Sequence, residues 1–254
     1  MVHEERFHKF REFLKTYWWT DVFFSGKKVD QQLQAPAPQI QKDYPKNAQL
    51  LDLPPADEVK TGDMSLKEAL AKRRSRRKFN EEALSMDELS YLLWSTQGVQ
   101  EVIRRGTATL RPAASGGARH PFETYIIVFR VDGLKPGIYR YVPLEHKLLH
   151  LGEDERLAEK LVAACMKQGF VGKSAVTFAW TCIPYRTEWS YDKVSHKIIA
   201  IDAGHVCQNL YLACESANLA CCAVGAYHQD QMDQLLKLDG IEEFTIYMAV
   251  VGKY

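Results

Sequence analysis

Apolar and polar positions follow one another along the chain in blocks whose spacing predicts helices and strands in mixed order. Helices are expected to begin at Ser65 and Ser85, because Glu68 and Glu88 stand three residues later, which is the spacing of a capping box. Leucines and alanines then recur at helical intervals on one face. Further helices are predicted over about 154–167, over about 199–218, and around Met232, Leu235 and Leu236.

Short apolar runs separated by turn residues predict the strands. Three runs follow one another in the middle of the chain, with Asp132-Gly133 as a turn, so we expect antiparallel neighbours there. The irregular order of helices and strands favours an α+β fold, with a central antiparallel-dominated sheet flanked by helices, over a doubly wound parallel sheet. The predicted strands are TYIIVF (124–129), GIYRYV (137–142), KLLHL (147–151), AVTFAWTC (175–182), ACCAVGA (220–226) and TIYMAVV (245–251).

Residues 1–62 differ in character from the rest of the chain. A helix is predicted over about 4–18, and residues 26–62 are rich in Pro, Gln and Lys without helical or strand periodicity. We interpret the second stretch as an extended arm that joins the N-terminal helix to the main domain, residues 63–254. Such an arm can wrap a partner subunit, or it can be a loose linker.

The charge balance argues against one class of function. The 254 residues include 33 Lys and Arg against 32 Asp and Glu, so the chain lacks the positive excess of a protein built to coat nucleic acid. No secretory signal is expected at the N-terminus, and no run approaches the roughly 20 apolar residues that cross a bilayer. The six cysteines form no CxxC pair and no zinc pattern, so we interpret them as buried free thiols of a cytoplasmic protein.

Three segments carry candidate chemistry. Lys72–Lys78 places six cations in seven positions, which indicates a solvated helix end, a nucleic-acid patch, or a pocket in which arginines and Ser75 hold a phosphate. Ala114–Pro121 (ASGGARHP) is a small-residue loop leading into a strand, where backbone groups can approach a flat ligand closely. In Cys222–Tyr227 (CAVGAY), a buried strand ends in small residues that leave backbone N–H groups unobstructed.

Taken in this order, the three segments resemble those of the nitroreductase superfamily. RRSRRKF is similar to the flavin-phosphate motif Arg-Arg-Ser-x-Arg, SGGARHP to the loop that holds the pyrimidine edge of the flavin, and AVGAY to the segment over its central ring. The resemblance covers roughly residues 50–254. Four longer stretches resemble the SagB-type dehydrogenase branch in particular: LSMDELSYLLWSTQGV, GLKPGIYRYVPLEHKL, AIDAGHVCQNLYLACESANLACCAVGAY and the terminal YMAVVGKY.

The resemblance implies FMN as the cofactor and assigns the first segment to its charged end. Arg73, Arg74 and Ser75 should contact the phosphate and the ribityl chain. Arg77 should lie near the N1–C2=O edge of the flavin, where negative charge collects on reduction. A fixed guanidinium there would stabilise the anionic reduced form and so adjust the potential as well as the affinity.

The same resemblance assigns the other two segments to the flavin ring. Ser115 should contact the pyrimidine end, with Gly116 and Gly117 shaping the loop around it. The N–H groups of Gly225 and Ala226 should hydrogen-bond to flavin N5, the atom that accepts and returns hydride. Because the substrate of such an enzyme stacks on the exposed flavin face, no side-chain nucleophile is required.

Two positions depart from the family pattern. Members that oxidise peptide azolines carry a Lys-Tyr pair after a tryptophan, whereas here Ser190 precedes Tyr191. A serine near neutral pH has no ready means of acting as a base, so Tyr191 remains as the candidate catalytic residue. Many nitroreductases also have a late basic phosphate ligand, for which Lys253 is the candidate substitute.

The resemblance further implies an intertwined homodimer with flavins at the subunit interface, formed by the helix around Asp202–His205 and by the N-terminal arm. The expected function is an FMN-dependent oxidoreductase that relays hydride by a ping-pong mechanism, with NAD(P)H or a substrate as donor, acting on a small molecule or a peptide. The alternative is a non-catalytic FMN-binding or partner-docking protein of the same fold, which the serine at position 190 would favour. A nucleic-acid binder is a third interpretation, and the near-neutral charge counts against it.

Overall fold

Strands form the centre of the structure, a computed structural model that describes residues 7–8 and 10–254. Within those residues, seven strands form one sheet and two short strands form a separate hairpin. The strands are β1 (Leu50–Asp52), the hairpin strands β2 (Glu101–Ile103) and β3 (Ala108–Leu110), β4 (Phe122–Val128), β5 (Gly137–Val142), β6 (Lys147–Gly152), β7 (Val176–Cys182), β8 (Ala220–Val224) and β9 (Phe244–Gly252). The sheet order is β1-β6-β5-β4-β7-β9-β8, and each neighbouring pair is antiparallel, which confirms the α+β prediction.

Helices flank the sheet, and two of them begin where the sequence predicts. The Ser65 hydroxyl accepts a hydrogen bond from the Glu68 N–H at 3.3 Å, and Ser85 and Glu88 form a complete capping box. The helices of seven residues or more in the described part are α1 (Tyr17–Phe24), α2 (Leu66–Lys72), α3 (Met86–Gln97), α4 (Leu157–Ala164), α5 (Tyr185–Tyr191), α6 (Ser195–Ser216) and α7 (Gln229–Leu236).

Different helices cover the two faces of the sheet. Ile126 belongs to a large buried cluster with Leu92 of α3 and Leu210 of α6, whereas Ile127 belongs to a second cluster with residues of α4 and α7. Successive residues of a strand point to opposite faces. The central strands β4 and β7 are buried along their whole length for this reason, since both of their faces are covered.

The helix predicted over about 4–18 is present in part, since residues 7, 8, 10 and 11 are helical. Residues 1–6 and 9 lie outside the described residues, and a 3-10 turn over Glu12–Leu14 precedes a break before α1 begins at Tyr17. The sequence does not predict α1 as a separate helix. Val22 is buried, and it packs against Val194 near the start of α6, so tertiary contact stabilises α1.

The arm lies along its own domain. Arg140 donates hydrogen bonds to the carbonyl oxygens of Lys42 and Asp43 at 3.0 and 2.8 Å, and the Lys42 ammonium contacts the buried carboxylate of Glu243. The arm also contains β1, which pairs with β6 although the sequence shows no strand periodicity there. The loose-linker interpretation is therefore wrong. A role of the arm in wrapping a partner, and the boundary at residue 62, stay predictions.

Helix α5 and the β2–β3 hairpin are absent from the sequence prediction. α5 is a short helix whose Arg186, Thr187, Trp189 and Ser190 are all buried. The Arg186 guanidinium forms an ion pair of 2.5 Å with Glu123 in which both side chains are 2% exposed. This buried pair fixes the helix that ends at Tyr191 against the central strand β4.

All six cysteines are buried free thiols, as the sequence predicts. No group of His, Cys, Asp and Glu side chains in the described part of the chain is arranged to hold a metal ion. Within the same residues, no helix combines the length and the apolar character needed to span a membrane.

Candidate functional site

Helix α6 contacts all three segments that carry candidate chemistry. Tyr211, near its end, bonds to Ser75 of the arginine-rich segment and to the strand that precedes Gly225. Asp202, nearer its start, holds the loop that begins at Ser115. The sequence places Asp202 only in the helix expected to form the dimer, and it gives Tyr211 no role.

Tyr211 joins the first segment to the third. Its hydroxyl lies 2.9 Å from Ser75 Oγ and accepts a hydrogen bond of 2.8 Å from the Ala223 N–H. The Arg73 guanidinium lies 5.3 Å from the centroid of the Tyr211 ring, which is a cation–π contact. Burial raises the pKa of Tyr211, so its phenol stays neutral and able to bond on both sides.

The arginines of the first segment divide into two groups. Arg76 forms a two-point ion pair with the buried Glu215, with contacts of 2.5 and 3.0 Å, and its N–H donates to the Cys221 carbonyl. Arg73, Arg74 and Arg77 have no carboxylate partner among residues 7–8 and 10–254. The fold therefore uses Arg76 to attach the segment to β8 and leaves three guanidinium groups for an anionic ligand.

Gly225 and Ala226 follow β8 directly and are exposed. A β-carbon on Gly225 would have the Tyr247 ring as its nearest neighbour, at 3.7 Å, so the backbone here is open on its other sides. The Ala226 carbonyl accepts a hydrogen bond of 2.9 Å from Gln168. Because Ala223 is fixed by Tyr211, the structure brings this segment next to Ser75, as the sequence implied.

The second segment is organised by Asp202. The Ser115 hydroxyl donates to the Asp202 carboxylate at 2.6 Å, the Gly116 N–H donates to it at 3.2 Å, and Ser115 Oγ accepts from the His120 N–H at 2.9 Å. Burial raises the pKa of Asp202, and the hydrogen bonds from Ser115 and Gly116 oppose that rise. The Ser115 hydroxyl is thus engaged inside the protein.

The two glycines of this loop allow close contacts that a side chain would prevent. A β-carbon on Gly116 would lie 2.5 Å from Ile198 Cγ2, and one on Gly117 would lie 2.5 Å from the Tyr191 hydroxyl. Gly117 also has a φ of +63°, a backbone conformation that favours glycine. The structure therefore places Tyr191, the candidate catalytic residue, directly against the second segment.

The second segment lies apart from the other two within one chain. Asp202 and Tyr211 are nine positions apart on α6, which corresponds to about 13 Å of rise and two and a half turns. Their side chains therefore leave opposite sides of the helix. Between them runs the exposed stripe of α6, which consists of Ile201, Gly204, His205 and Gln208.

Lys253, predicted as a late basic ligand, has an acidic neighbour in the protein. Its ammonium lies 3.6 Å from Glu88 Oε1, and its carbonyl accepts a hydrogen bond from the Asn80 N–H. The contact with Glu88 is longer than a hydrogen bond and half-exposed, so it leaves the ammonium able to turn toward an anion.

A sequence signal for one of the missed residues exists. Asp202 stands four positions before Val206 and so shares the apolar face of α6 with Val206 and Leu210. A carboxylate at a core position of a helix must be hydrogen-bonded or costs several kcal/mol, so its presence indicates buried donors nearby. Tyr211 and Arg76 give no such signal, because the partners of both lie far away in sequence.

Comparison with known proteins identifies the family. The model described as "Nitroreductase family" matches residues 70–253. A protein of Methanocaldococcus jannaschii that carries the name of a nitroreductase is 31% identical over 203 residues, covering 80% of this chain and 96% of that protein. The trifolitoxin-processing protein TfxB of Rhizobium leguminosarum bv. trifolii is 24% identical over 178 residues, 67% of this chain, and the match spans 48% of TfxB.

Solved structures share the fold. A structure from Ralstonia eutropha JMP134 named for a nitroreductase has a TM-score of 0.66 at 25% identity, covering 86% of this chain and 98% of that chain. The E. coli microcin synthetase McbBCD complex with truncated pro-MccB17 bound gives 0.60 at 15%, over 94% and 82%. A Desulfovibrio desulfuricans structure in complex with FMN gives 0.52 at 18%, over 75% and 86%. Since the matched region contains all three candidate segments, the chain belongs to the nitroreductase family.

Proposed function

We propose that this protein is an FMN-dependent oxidoreductase. The observation that carries the proposal is the attachment of all three candidate segments to one helix, through Tyr211 at one position and Asp202 at another. The family to which the chain belongs, and the FMN in the Desulfovibrio structure of the same fold, support it.

The residues present fit the charged end of FMN. Arg73, Arg74 and Arg77 lack carboxylate partners in the described part of the chain, and Ser75 presents a hydroxyl beside them. Forked guanidinium groups and a hydroxyl are the donors that a phosphate monoester requires. In this proposal Arg73, Arg74 and Ser75 hold the phosphate and the ribityl chain, and Lys253 turns away from Glu88 to join them.

The residues around the ring end fit as well. Gly225 and Ala226 offer exposed backbone at the end of a buried strand, and the Ser115–Gly117 loop is stiffened from behind by Asp202. FMN, when bound, supplies the two-electron chemistry. Arg77 holds a fixed positive charge at the edge of the site, and the Tyr191 hydroxyl, beside Gly117, can give or take a proton at the substrate.

We infer that the working unit is a homodimer. The Ser115 loop and the arginine-rich segment lie on opposite sides of the exposed stripe of α6, so a single chain does not enclose one ligand between them. Ile201 on this stripe is 48% exposed, and Gly204 has open space where a side chain would stand. A second copy packed on the stripe can bring its own Ser115 loop next to the arginine-rich segment of the first copy.

We place the protein in the SagB-type dehydrogenase branch, with electron donor and acceptor using one site in turn. The similarity to the trifolitoxin-processing protein and the fold shared with the microcin synthetase complex support a peptide as one substrate class. NAD(P)H is the proposed donor for reduction of small quinones and nitro compounds. Ser190, which is 9% exposed, offers no base beside Tyr191, so any proton transfer rests on Tyr191.

The test is to purify the full chain, soak it in FMN, remove the excess and record the flavin absorbance. We expect about one FMN for each chain, and bleaching when NADH or NADPH is added without oxygen. Protein that stays colourless after the soak would overturn the proposal. Protein that holds FMN but is reduced by no donor, and reduces no quinone, would establish the non-catalytic alternative instead.

A further inference from the structure

Helix α1 is attached to the rest of the protein through few contacts. Its Tyr17 and Phe24 side chains are 66% and 84% exposed, and Val22 is its buried residue. Val22 packs with Val29, Val194 and Ile198 in a small separate cluster. This small buried area does not explain why the helix is rich in aromatic residues. Trp19 of this helix is half-buried.

Trp19 meets Tyr191. The two ring centroids are 6.0 Å apart with an angle of 66° between the planes, an edge-to-face contact. Phe23, one turn later, stacks on Trp19 at 5.3 Å with an angle of 13°. The indole is therefore supported by its own helix and directed at the Tyr191 ring.

The Tyr191 side chain is held by packing, and besides Trp19 it lies against the small cluster that contains Val194 and Ile198. Tyr191 is the last residue of α5, and Asp192 after it has a φ of +43°, which a residue with a side chain rarely adopts. The Tyr191 hydroxyl forms no hydrogen bond with any residue of the described part of the chain. The orientation of the ring consequently depends on what packs against it.

A further neighbour of Tyr191 is the Gly117 loop. The hydroxyl lies where a β-carbon on Gly117 would be 2.5 Å away, and Ile198 of the α1 cluster makes the equivalent approach to Gly116. Tyr191 thus contacts Trp19 and approaches the loop. The Tyr191 ring contacts Trp19 of α1, and the loop approaches Ile198, which packs in one cluster with Val22 of α1.

We propose that Trp19 is a positioning residue for Tyr191, and that α1 is a functional part of the site through this contact. The proposal rests on the proposed function, in which Tyr191 faces the substrate. Trp19 acts by limiting the directions in which the phenol can point, so its loss costs rate and leaves cofactor binding unchanged. Misplacement of a reacting group by about 1 Å can cost on the order of a hundredfold in rate.

The experiment compares FMN-loaded, full-length Trp19→Ala, Trp19→Phe and Tyr191→Phe with the parent in NADPH-driven reduction of menadione. We expect Trp19→Ala to lower kcat about tenfold, with the Kd for FMN unchanged within about twofold. Trp19→Phe should recover most of the rate, because a phenyl ring can keep the edge-to-face contact. The double variant Trp19→Ala, Tyr191→Phe should be no slower than Tyr191→Phe alone.

Trp18→Ala is the matched control, since Trp18 is the adjacent tryptophan of the same helix and faces the Lys193 ammonium at 5.8 Å. It should leave kcat unchanged. The proposal is overturned if Trp19→Ala keeps the parent rate, if Trp18→Ala loses as much, or if the losses in the double variant multiply. All of these outcomes are measured on protein that binds FMN and whose FMN is reduced by NADPH. They are therefore distinct from failure of the proposed function, in which no FMN is bound or reduced.

Discussion

The hydroxyl oxygen of Tyr191 lies 2.5 Å from the point that a β-carbon on Gly117 would occupy. The chain can bring a phenol this close to a backbone loop only because position 117 lacks a side chain. The φ of +63° at the same residue places a second demand on glycine. The close contact with Tyr191 should affect activity, and the positive φ should affect stability. Substitutions can therefore separate the two requirements for glycine.

Gly117→Ala should lower both stability and activity, whereas Gly106→Ala should lower stability alone. Gly106 also has a positive φ, +88°, but it has no atom within 4 Å of the added carbon. We expect each variant to lose about 1 kcal/mol of unfolding free energy from backbone strain. Only Gly117→Ala should also reduce kcat for menadione, by about tenfold, because Tyr191 must move. Urea unfolding and steady-state kinetics measure the two effects, and equal kinetics for both variants would contradict the role of the contact.

Tyr211→Phe should weaken FMN binding. The substitution keeps the ring under Arg73 but removes the hydroxyl that contacts Ser75 and the Ala223 N–H. We expect the Kd for FMN to rise about tenfold, as the first and third segments lose their common bond. The control is Tyr91→Phe, which also loses one hydroxyl contact, 2.9 Å to Ser216, and should leave the Kd unchanged. Fluorescence titration of FMN gives both values; equal constants for the two variants would refute the assignment.

Arg76→Met should lower stability and Arg74→Met should weaken FMN binding, although the two arginines belong to one motif. Arg76→Met leaves the Glu215 carboxylate, 4% exposed, without its partner, so we expect a loss of about 3–5 kcal/mol of unfolding free energy. Arg74→Met removes an exposed side chain that bonds only to nearby carbonyls, so stability should not change while the Kd for FMN rises about tenfold. Chemical unfolding without FMN, followed by FMN titration, separates the two. Loss of FMN binding in stable Arg76→Met protein would contradict the division.

Acid should destabilise the protein through His120. Burial, together with the nearby Arg111 guanidinium, lowers the pKa of His120 to about 3 in the folded state. An unfolded histidine takes up its proton near pH 6.5, so the stabilising contribution is complete above that pH and is lost progressively as pH falls toward 3. His120 has a φ of +43°. Relative to His120→Asn, which cannot titrate and tolerates a positive φ, the native chain should lose on the order of 2–3 kcal/mol between pH 7.5 and 4.5. Urea unfolding at several pH values measures this difference, and parallel curves would show that His120 does not titrate.

The sequence predicts those features that depend on residues close together in the chain. The caps at Ser65 and Ser85 lie within four positions: both helix starts are confirmed, and Ser85 with Glu88 forms the complete capping box. The three candidate segments are short, and each one has the small or basic residues that its local geometry requires. Six of the seven strands of the sheet are predicted to within a few residues, because apolar runs bounded by turn residues mark them, and β1 is the exception.

The sequence does not show which distant residues come into contact when the chain folds. Arg74 and Arg76 look alike in the motif, and only the approach of Glu215, 139 positions away, gives Arg76 a structural role. The partner of the Ser115 hydroxyl inside the protein is Asp202, which lies 87 positions away. The bounds of α1 depend likewise on Val22 meeting Val194, which no local pattern records.

The burial of every cysteine makes alkylation a measure of local opening. Burial raises the pKa of Cys165 and Cys207 to about 12, and it raises the pKa of Cys222, so in the closed protein little thiolate is present or accessible. Iodoacetamide should therefore modify each site only while the covering element is detached. Alkylation of Cys165 reports the opening of α4, that of Cys207 the opening of α6, and that of Cys222 the opening of β8. Mass spectrometry can therefore measure the opening rate of each element without an engineered cysteine.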